Sequence, residues 1–427
     1  MFTRFRSMPA TAMAAVLGCA LMTTAAPAAA KEKPAKEQAA KGKGLTPSKG
    51  FMPAIKKIQA AAEAKDAAAL QAALAEGEAS ASTPDDKYFI SSYTLQLGIM
   101  SKDEAAQARG LDGMLDSGLT PPESVATYNF FSGNFAYGAK NYAKAIQRLE
   151  AAKAAGSTEA ALAPLLMDSY LNAGQIDQGW TVAQAGIAAS RAAGQRPSED
   201  LFVRPAQAFQ KANRTNDLLD VLTMRLEDYG VPATWRNTLF IMLQQSGGSK
   251  DMNLDILRLM RAADAMIERP EYSEYAALAV EAGFPGEAVS VVRYGKAKGV
   301  IPASDRHFDD ILESQEPRAR ADATALAADA TKPSTLANPK IARSTADALV
   351  GDGQYAKALP LYEAVLNAGP DPVAQYRLAV AQALAGQTDA ALAGFAKVEG
   401  NRQRLAKLWT IHLKQKAAPA PAPAVAD

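Results

Sequence analysis

ATYNFFSGNFAYGAKNYAKAIQRLEAAKAAGSTE, residues 126–159, runs directly into a second 34-residue stretch, AALAPLLMDSYLNAGQIDQGWTVAQAGIAASRAA, residues 160–193. Gly133, Tyr142, Ala145, Leu149 and Ala152 of the first recur 34 residues later as Met167, Ile176, Gly179, Ala183 and Gly186. A fixed period of this length is the mark of a repeat architecture. Small residues at Gly133, Ala145, Ala152, Gly179 and Gly186 allow two antiparallel helices to approach closely. Tyr142, Leu149 and Ile176 are placed to fill the space between one helical pair and the next. One pair cannot bury such a face alone, so the pairs must stack.

The same rhythm extends in both directions. Met52 to Ala64 and Asp66 to Ala75 read as a first helical pair, with a loop from Gly77 to Ser82. Thr83-Pro84-Asp85-Asp86 reads as a capped helix start, as do Ser101-Lys102-Asp103-Glu104 and Thr120-Pro121-Pro122-Glu123. Residues 51–125 are therefore expected to be N-terminal hairpins, 126–193 clear repeats and 194–300 degenerate repeats. In 301–338 the pattern predicts an irregular pair, Asp305 to Glu313 and Arg318 to Ala330, then a hinge at Thr331 to Ser334. Clear repeats return over 339–404, where Gly353, Tyr355, Ala358 and Tyr362 recur 33 residues on as Gly386, Thr388, Ala391 and Phe395. A last amphipathic helix, Arg402 to Lys414, with 405–416 as the capping segment, reads as a solvating cap, with Leu405, Leu408, Trp409 and Leu413 inward and Arg402, Arg404, Lys407 and Lys414 outward. The Ala/Pro-rich residues 417–427 read as a disordered tail.

Gly133, Tyr142, Ala145 and Ala152, and again Gly353, Tyr355, Ala358, Tyr362 and Pro370, resemble the tetratricopeptide repeat family. The pattern is a small residue in the first helix, an aromatic opening the second, an alanine three on and a bulky residue four further. Four copies carry it, at 126–159, 160–193, 339–371 and 372–404. The tryptophan expected early in the first helix is Asn129 in the best copy, and Met167 replaces the small residue in the second. The resemblance implies an all-α fold, a right-handed superhelix or solenoid of antiparallel helical hairpins, with a concave groove that holds peptides or protein segments.

Residues 1–30 read as an export signal: Arg4 and Arg6, an apolar run from Ala10 to Met22, and a small-residue site at Ala28-Ala29-Ala30. Cleavage there predicts a periplasmic or secreted chain beginning near Lys31. Cys19, after Val16-Leu17-Gly18, loosely resembles a lipidation site, and its use would give an outer-membrane lipoprotein with a lipid anchor instead. No later stretch has the ~18 apolar residues of a membrane span, so the mature body is expected to be soluble, with no transmembrane span. Residues 31–50 hold six lysines against two glutamates and read as a basic disordered linker, while residues 51–427 carry 38 bases against 43 acids. That acidic balance in an exported chain fits nucleic acid poorly.

Chemistry-bearing motifs are sparse. The chain holds two histidines, His307 and His412, and one cysteine, in the signal segment, which removes most of the parts of histidine triads, thiol nucleophiles and zinc sites. No cofactor or metal site is expected. The densest acid cluster, Asp309, Asp310, Glu313 and Glu316 beside His307, reads as a solvated helix face. Its alternative is carboxylate-based glycan cleavage on an α-superhelix, which needs one carboxyl desolvated opposite another. For partner binding, first-helix residues off the packing stripe are the candidates: Asn134 and Tyr137, Asp168 and Asn172, and Lys340, Arg343 and Asp347. The asparagines suit an extended peptide backbone, and Lys340 with Arg343 a carboxylate. Roughly 200 residues separate the two sets, which argues against one shared clamp. The composite reading is a non-catalytic exported scaffold for protein or peptide partners in envelope assembly, secretion or wall machinery. The alternatives are a wall-glycan enzyme or activator, or a lipid-anchored outer-membrane assembly factor.

Overall fold

The computed structural model describes residues 44–417; the signal segment, most of the basic linker and the tail from residue 418 lie outside the described residues. The described residues are all-α, with twenty-one α-helices and no strand. No described helix is long and apolar enough to cross a membrane. The chain divides into two compact units, one ending at Gln195 and one beginning at Arg196.

The first unit is a series of four antiparallel hairpins: α1 (Met52–Glu63) with α2 (Ala67–Ser80), α3 (Pro84–Ser101) with α4 (Glu104–Asp116), α5 (Pro122–Gly138) with α6 (Tyr142–Ala154), and α7 (Leu162–Asn172) with α8 (Ile176–Ala192). Ala145, Leu149, Ala152 and Ala183 are fully buried, while Tyr142 and Ile176 are half-buried. The small residues of the repeat act as expected. A Cβ on Gly133 would sit 2.7 Å from Leu149 Cγ, and one on Gly179 2.6 Å from Leu171 Cδ2. These distances are inside van der Waals contact, so the helices are as close as glycine allows.

Three local expectations give way to stronger partners. Helix α2 runs through the expected loop to Ser80, because Gly77 is a packing residue. Its missing side chain leaves room for Ile90 and Ile58, whose Cδ1 atoms would lie 2.9 and 3.0 Å from a Cβ there. Ser101 does not cap α4. Lys102 turns left-handed (φ 58°), and Asp103 caps instead, accepting from the Ala105 and Ala106 amides. Nor does Thr120 cap α5, since its hydroxyl donates to the Met114 carbonyl and Pro121 takes the cap position.

The cap at Thr83 forms as read, a reciprocal box with Asp86. Asp86 does more than close the box. It is fully buried and also accepts from the Ser48 amide, while Asp85 accepts from the Thr46 amide. Residues at the end of the basic stretch are thus tied to α3. Burial alone would raise the Asp86 pKa, but the hydrogen bonds from Ser48, Ser82 and Thr83 outweigh it and hold the carboxyl well below the usual range.

The second unit contains α9 (Asp200–Lys211), α10 (Thr215–Asp228), α11 (Pro232–Gln245), α12 (Lys250–Ala262), α13 (Arg269–Glu281), α14 (Pro285–Ala297), α15 (Arg306–Asp329), α16 (Pro333–Leu336), α17 (Pro339–Gly351), α18 (Tyr355–Ala368), α19 (Pro372–Leu384), α20 (Thr388–Phe395) and α21 (Gln403–Ala417). The irregular pair is one continuous 24-residue helix, α15, with Pro317 inside it, and the expected hinge is a turn followed by the short α16. Only Phe308 and Gln315 of α15 are fully buried, so most of its surface meets solvent.

The last helix departs most from its reading. Leu405, Leu408, Trp409 and Leu413 do point inward, but α21 is not a solvating end piece. It packs against α10, and its core joins that of α11 to α14 in one apolar cluster. Gln415 donates to the Leu226 carbonyl and accepts from Trp235 Nε1 at 3.3 Å. Arg402, expected outward, is 4% exposed. The second unit therefore closes on itself.

Glycine spacing makes a sharp test. A Cβ on Gly110 would lie 2.7 Å from Leu95 Cα, backbone that cannot rotate away, whereas one on Gly138 meets nothing within 4 Å. Gly110→Ala should lower the stability of the first unit by about 1–3 kcal/mol in chemical denaturation. Gly138→Ala should leave it unchanged or raise it by up to about 1 kcal/mol; equal losses at the two positions would contradict the close approach.

Candidate functional site

Helix α12 explains why its polar residues are unusual. Leu254, Ile256, Leu257, Leu259 and Met260 are all fully buried, while Asp251, Asp255 and Arg258 fall at i, i+4 and i+7 and so share one face of the same helix. Asp255 and Arg258 sit among them at 1% and 6% exposure, so each must find a charged partner.

They do so in a network drawn from six helices and the turn before α21. Asp255 accepts from Arg258 Nη1 at 3.3 Å, from Arg377 Nε and Nη2 at 3.3 Å each, and from Arg402 Nε at 2.8 Å. Asp251, one helical turn earlier, accepts from Arg402 Nη2 at 2.6 Å and from Arg377 Nη2. Glu287 of α14 holds Arg258 bidentately, 2.8 Å from both Nε and Nη2, and accepts from the Tyr275 hydroxyl at 2.7 Å. Asp347 of α17 accepts from Arg377 Nη1 and from the Tyr362 hydroxyl, each at 2.7 Å. Three guanidinium groups thus join four carboxylates.

Burial and pairing balance differently at three of these carboxylates. For Glu287, burial raises the pKa, but the two-toothed Arg258 contact and the Tyr275 hydroxyl outweigh burial, and the carboxyl stays ionised more readily than a free one. The Asp251 pKa is lowered for a similar reason: burial raises it, and Arg377 and Arg402 lower it further. At Asp347 burial wins over Arg377 and Tyr362, and the pKa rises. Every oxygen of Asp255, Glu287 and Asp347 already accepts a hydrogen bond from the chain. The network is built to hold helices together.

The sequence-derived binding residues distribute over both units. In the first, Asn134 and Tyr137 lie on α5 and are half-buried, Tyr137 edge-on to Tyr142 with centroids 5.8 Å apart. Asp168 on α7 is 2% exposed, and Asn172 is exposed, its amide donating to the Asp168 carbonyl. Helices α5 and α7 touch, so the structure brings these four residues onto neighbouring first helices. In the second unit Lys340 is exposed, and Arg343 pairs with Asp371 at 2.8 Å. Asp347 lies inside, engaged by Arg377 and Tyr362, because a carboxylate one turn inward on α17 meets the network and not solvent.

Residues of the alternative catalytic reading are engaged as well. Asp309 pairs with Lys296 at 2.7 Å, Asp310 with Arg306 at 3.7 Å, and Glu316 with Arg293 at 2.7 Å, while Glu313 is exposed. The His307 Nε2 lies 2.9 Å from the Ser273 hydroxyl. His412 is wedged between Trp235 and Trp409, edge-on to both at 5.9 and 5.8 Å, and burial, with Lys416 nearby, pushes its pKa down to about 4.

No family model and no curated protein matches the sequence. Among solved structures, the chain is similar to one in the structure of Naa15/Naa10 bound to HypK-THB, at 12% identity and TM-score 0.35, over 86% of this chain and 61% of that one. It is also similar to the pentatricopeptide repeat protein PPR10 from maize, at 15% identity and TM-score 0.25, over 87% and 57%. A third similarity is to yeast Tom70, at 11% identity and TM-score 0.22, over 86% and 96%. The chain thus spans about three fifths of the length of the first two.

Two expectations test this site. Arg377→Leu leaves Asp255 and Asp347 without their shared guanidinium and should cost about 3–5 kcal/mol of stability in denaturant unfolding. Asp347→Asn keeps an acceptor for the Tyr362 hydroxyl and for Arg377 and should cost less, about 1 kcal/mol; the reverse order would overturn the assignment. The His412 shift fixes a second outcome. An unfolded histidine takes up its proton near pH 6.5 and the folded one near 4, so the unfolded state binds more protons between those values. Stability should fall as pH drops from about 6.5 to 4, by on the order of 3 kcal/mol, and His412→Phe should flatten that slope in pH-dependent melting curves.

Proposed function

We propose that the protein is an exported, non-catalytic tetratricopeptide-like scaffold that binds protein or peptide segments on the first helices of its N-terminal hairpins. The observation that carries this reading is the pairing of α5 and α7, neighbouring first helices that leave Asn134, Tyr137 and Asn172 incompletely buried. An asparagine amide offers two donors and an acceptor, which matches the alternating groups of an extended peptide backbone. Tyr137 adds apolar area with a polar tip. In the second unit the inward-facing charges are consumed by one another, which favours the first unit as the binding region.

Export rests on the signal pattern of residues 1–30, with the mature chain starting near Lys31 in the periplasm or outside the cell. Lipidation at Cys19 is the competing fate, and the mass of the mature N-terminus separates the two. Envelope assembly, secretion or wall machinery are the settings that fit. A role in glycan cleavage is disfavoured by the ion pairing of Asp309, Asp310 and Glu316 and by the exposure of Asp310 and Glu313, since a general acid needs a carboxyl that burial keeps protonated near neutral pH.

A photo-crosslinking residue placed at Asn172 should trap protein in intact cells, and one at Lys153, exposed on the second helix α6, should not. Asn134→Ala with Tyr137→Ala should reduce that trapping at least several-fold at unchanged helicity. Equal trapping at both positions would defeat the reading. So would a selective loss of glycan turnover in Asp310→Asn with Glu313→Gln at unchanged fold.

A further inference from the structure

Among the described residues a single aromatic side chain is exposed, Phe240 on α11, at 44%. Scattered apolar side chains at a surface need no explanation, but Phe240 is not alone. Ile267, just before α13, is 46% exposed, and the two flank one ion cluster. The Arg236 guanidinium lies 5.9 Å from the Phe240 ring centroid. It pairs with Glu268 at 2.7 Å and with Glu271, and Glu271 also accepts from the Ile267 amide at 2.9 Å. None of these residues belongs to the buried network.

What lies beside them follows from the register of α11, α13 and α15. Arg236 meets Glu271 at a separation of 35 positions, Arg269 meets Asp305 at 36, and Ser273 meets His307 at 34. Contacts at so constant an offset place the three helices side by side and in one direction. One turn further on, the same offset sets Phe240 level with Glu274, and Glu274 level with Asp310; the next turn of α15 carries Glu313. All three carboxylates are exposed. Glu274 and Glu313 have no ion pair among the described residues. Asp310 has a loose one, 3.7 Å from an Arg306 side chain that is itself 91% exposed. The face therefore changes from apolar at α11 to acidic at α13 and α15.

Charge on a helix face by itself reads as solvation. An exposed aromatic ring beside an arginine in the same face is the composition of a binding hot spot. We propose that α11, α13 and α15 form a docking surface for a basic peptide segment, whose apolar side chain covers Phe240 and Ile267 while its lysines or arginines meet Glu274, Asp310 and Glu313. Packed helices lie ~8–10 Å apart and an extended chain advances ~3.3 Å per residue, so a segment crossing them presents its cations about three and about six residues from the apolar one. The surface is separate from the one proposed on α5 and α7, and neither depends on the other.

Selection of a random peptide library on the full chain tests this, with the Phe240→Ala variant for counter-selection. The residues to be changed are exposed, and unchanged melting of the variants shows that the fold survives. Sequences kept by the wild type and lost on the variant should hold an apolar residue with lysine or arginine about three and about six positions away. A peptide of that pattern should bind about tenfold more weakly to Phe240→Ala, and again to Glu274→Gln with Glu313→Gln. Added salt should weaken it, and Asn134→Ala with Tyr137→Ala should not. Neutral or acidic selected sequences, or a library from which Phe240→Ala loses nothing, would overturn the proposal. Loss of binding in the Asn134 and Tyr137 variant would do so too, by putting the peptide on the first unit. So would self-association of the wild type that Phe240→Ala abolishes, because the occupant would then be a second copy of the chain.

Discussion

Arg377 makes contacts that no apolar residue in its place would supply. From α19 its guanidinium reaches Asp251 and Asp255 on α12 and Asp347 on α17, and so ties the late repeats of the second unit to its early ones. A flat fork with five donors fixes direction as well as distance, which a lysine would not. Asp255 receives three guanidinium groups and is the point at which the network converges. Removing water from such a cluster is costly, and mutual attraction offsets that cost only when geometry is good and lone pairs are filled. Here they are filled, by arginines and by the hydroxyls of Tyr275 and Tyr362. What the arrangement supplies beyond stability is register, since a slip of one helical turn would leave buried charges without partners.

In the first unit, among the described residues, close helix approach is prominent. Its helices approach until glycine is the only residue that fits, at Gly110 against Leu95 and at Gly133 against Leu149. Register is then set by sterics, because a helix shifted along its neighbour would bring a Cβ into backbone. Polar contacts between hairpins lie nearer the surface, as where Asp112 accepts from Ser132 at 2.7 Å and pairs with Lys144 and Arg148. Close approach also serves the second unit, where a Cβ on Gly295 would lie 2.5 Å from Ile301 Cδ1 and one on Gly394 2.9 Å from Ala379 Cβ, so buried charge there is added to shape and does not replace it.

Distance along the chain decides what the sequence reveals. Period-34 spacing, small residues and caps are local, so the hairpins at 126–193 and 339–395 are readable from the residues alone. Gly77 reads as a loop because a glycine that breaks a helix and one that admits a neighbour look alike until Ile58 and Ile90 are in place. Ser101 and Thr120 do not cap because a better acceptor or another bond lies within reach, Asp103 for the first and the Met114 carbonyl for the second. The closure was invisible for a deeper reason. Asp251 and Arg402 are 151 residues apart, and no spacing rule connects them. Nor did α12 give the closure away: Asp251, Asp255 and Arg258 at i, i+4 and i+7 read as the solvated face of an amphipathic helix until α14, α19 and the turn before α21 cover it. Arg402 carried no mark either, since an arginine opening an amphipathic helix is normally solvated.

Closure also bears on where a partner can be held. A stacked array offers its inner side chains to a ligand only if the array has not satisfied them itself. In the second unit Arg258, Arg377, Asp347 and Glu287 are satisfied by each other, and a peptide would have to replace contacts that are both charged and buried. Displacing them leaves charges uncompensated, a cost that a few peptide hydrogen bonds, each worth about 1 kcal/mol net, would not offset. In the first unit Asn134 and Tyr137 are half-buried and Asn172 is exposed, its amide donating to the Asp168 carbonyl of its own helix, so a partner there would meet polar groups at the surface.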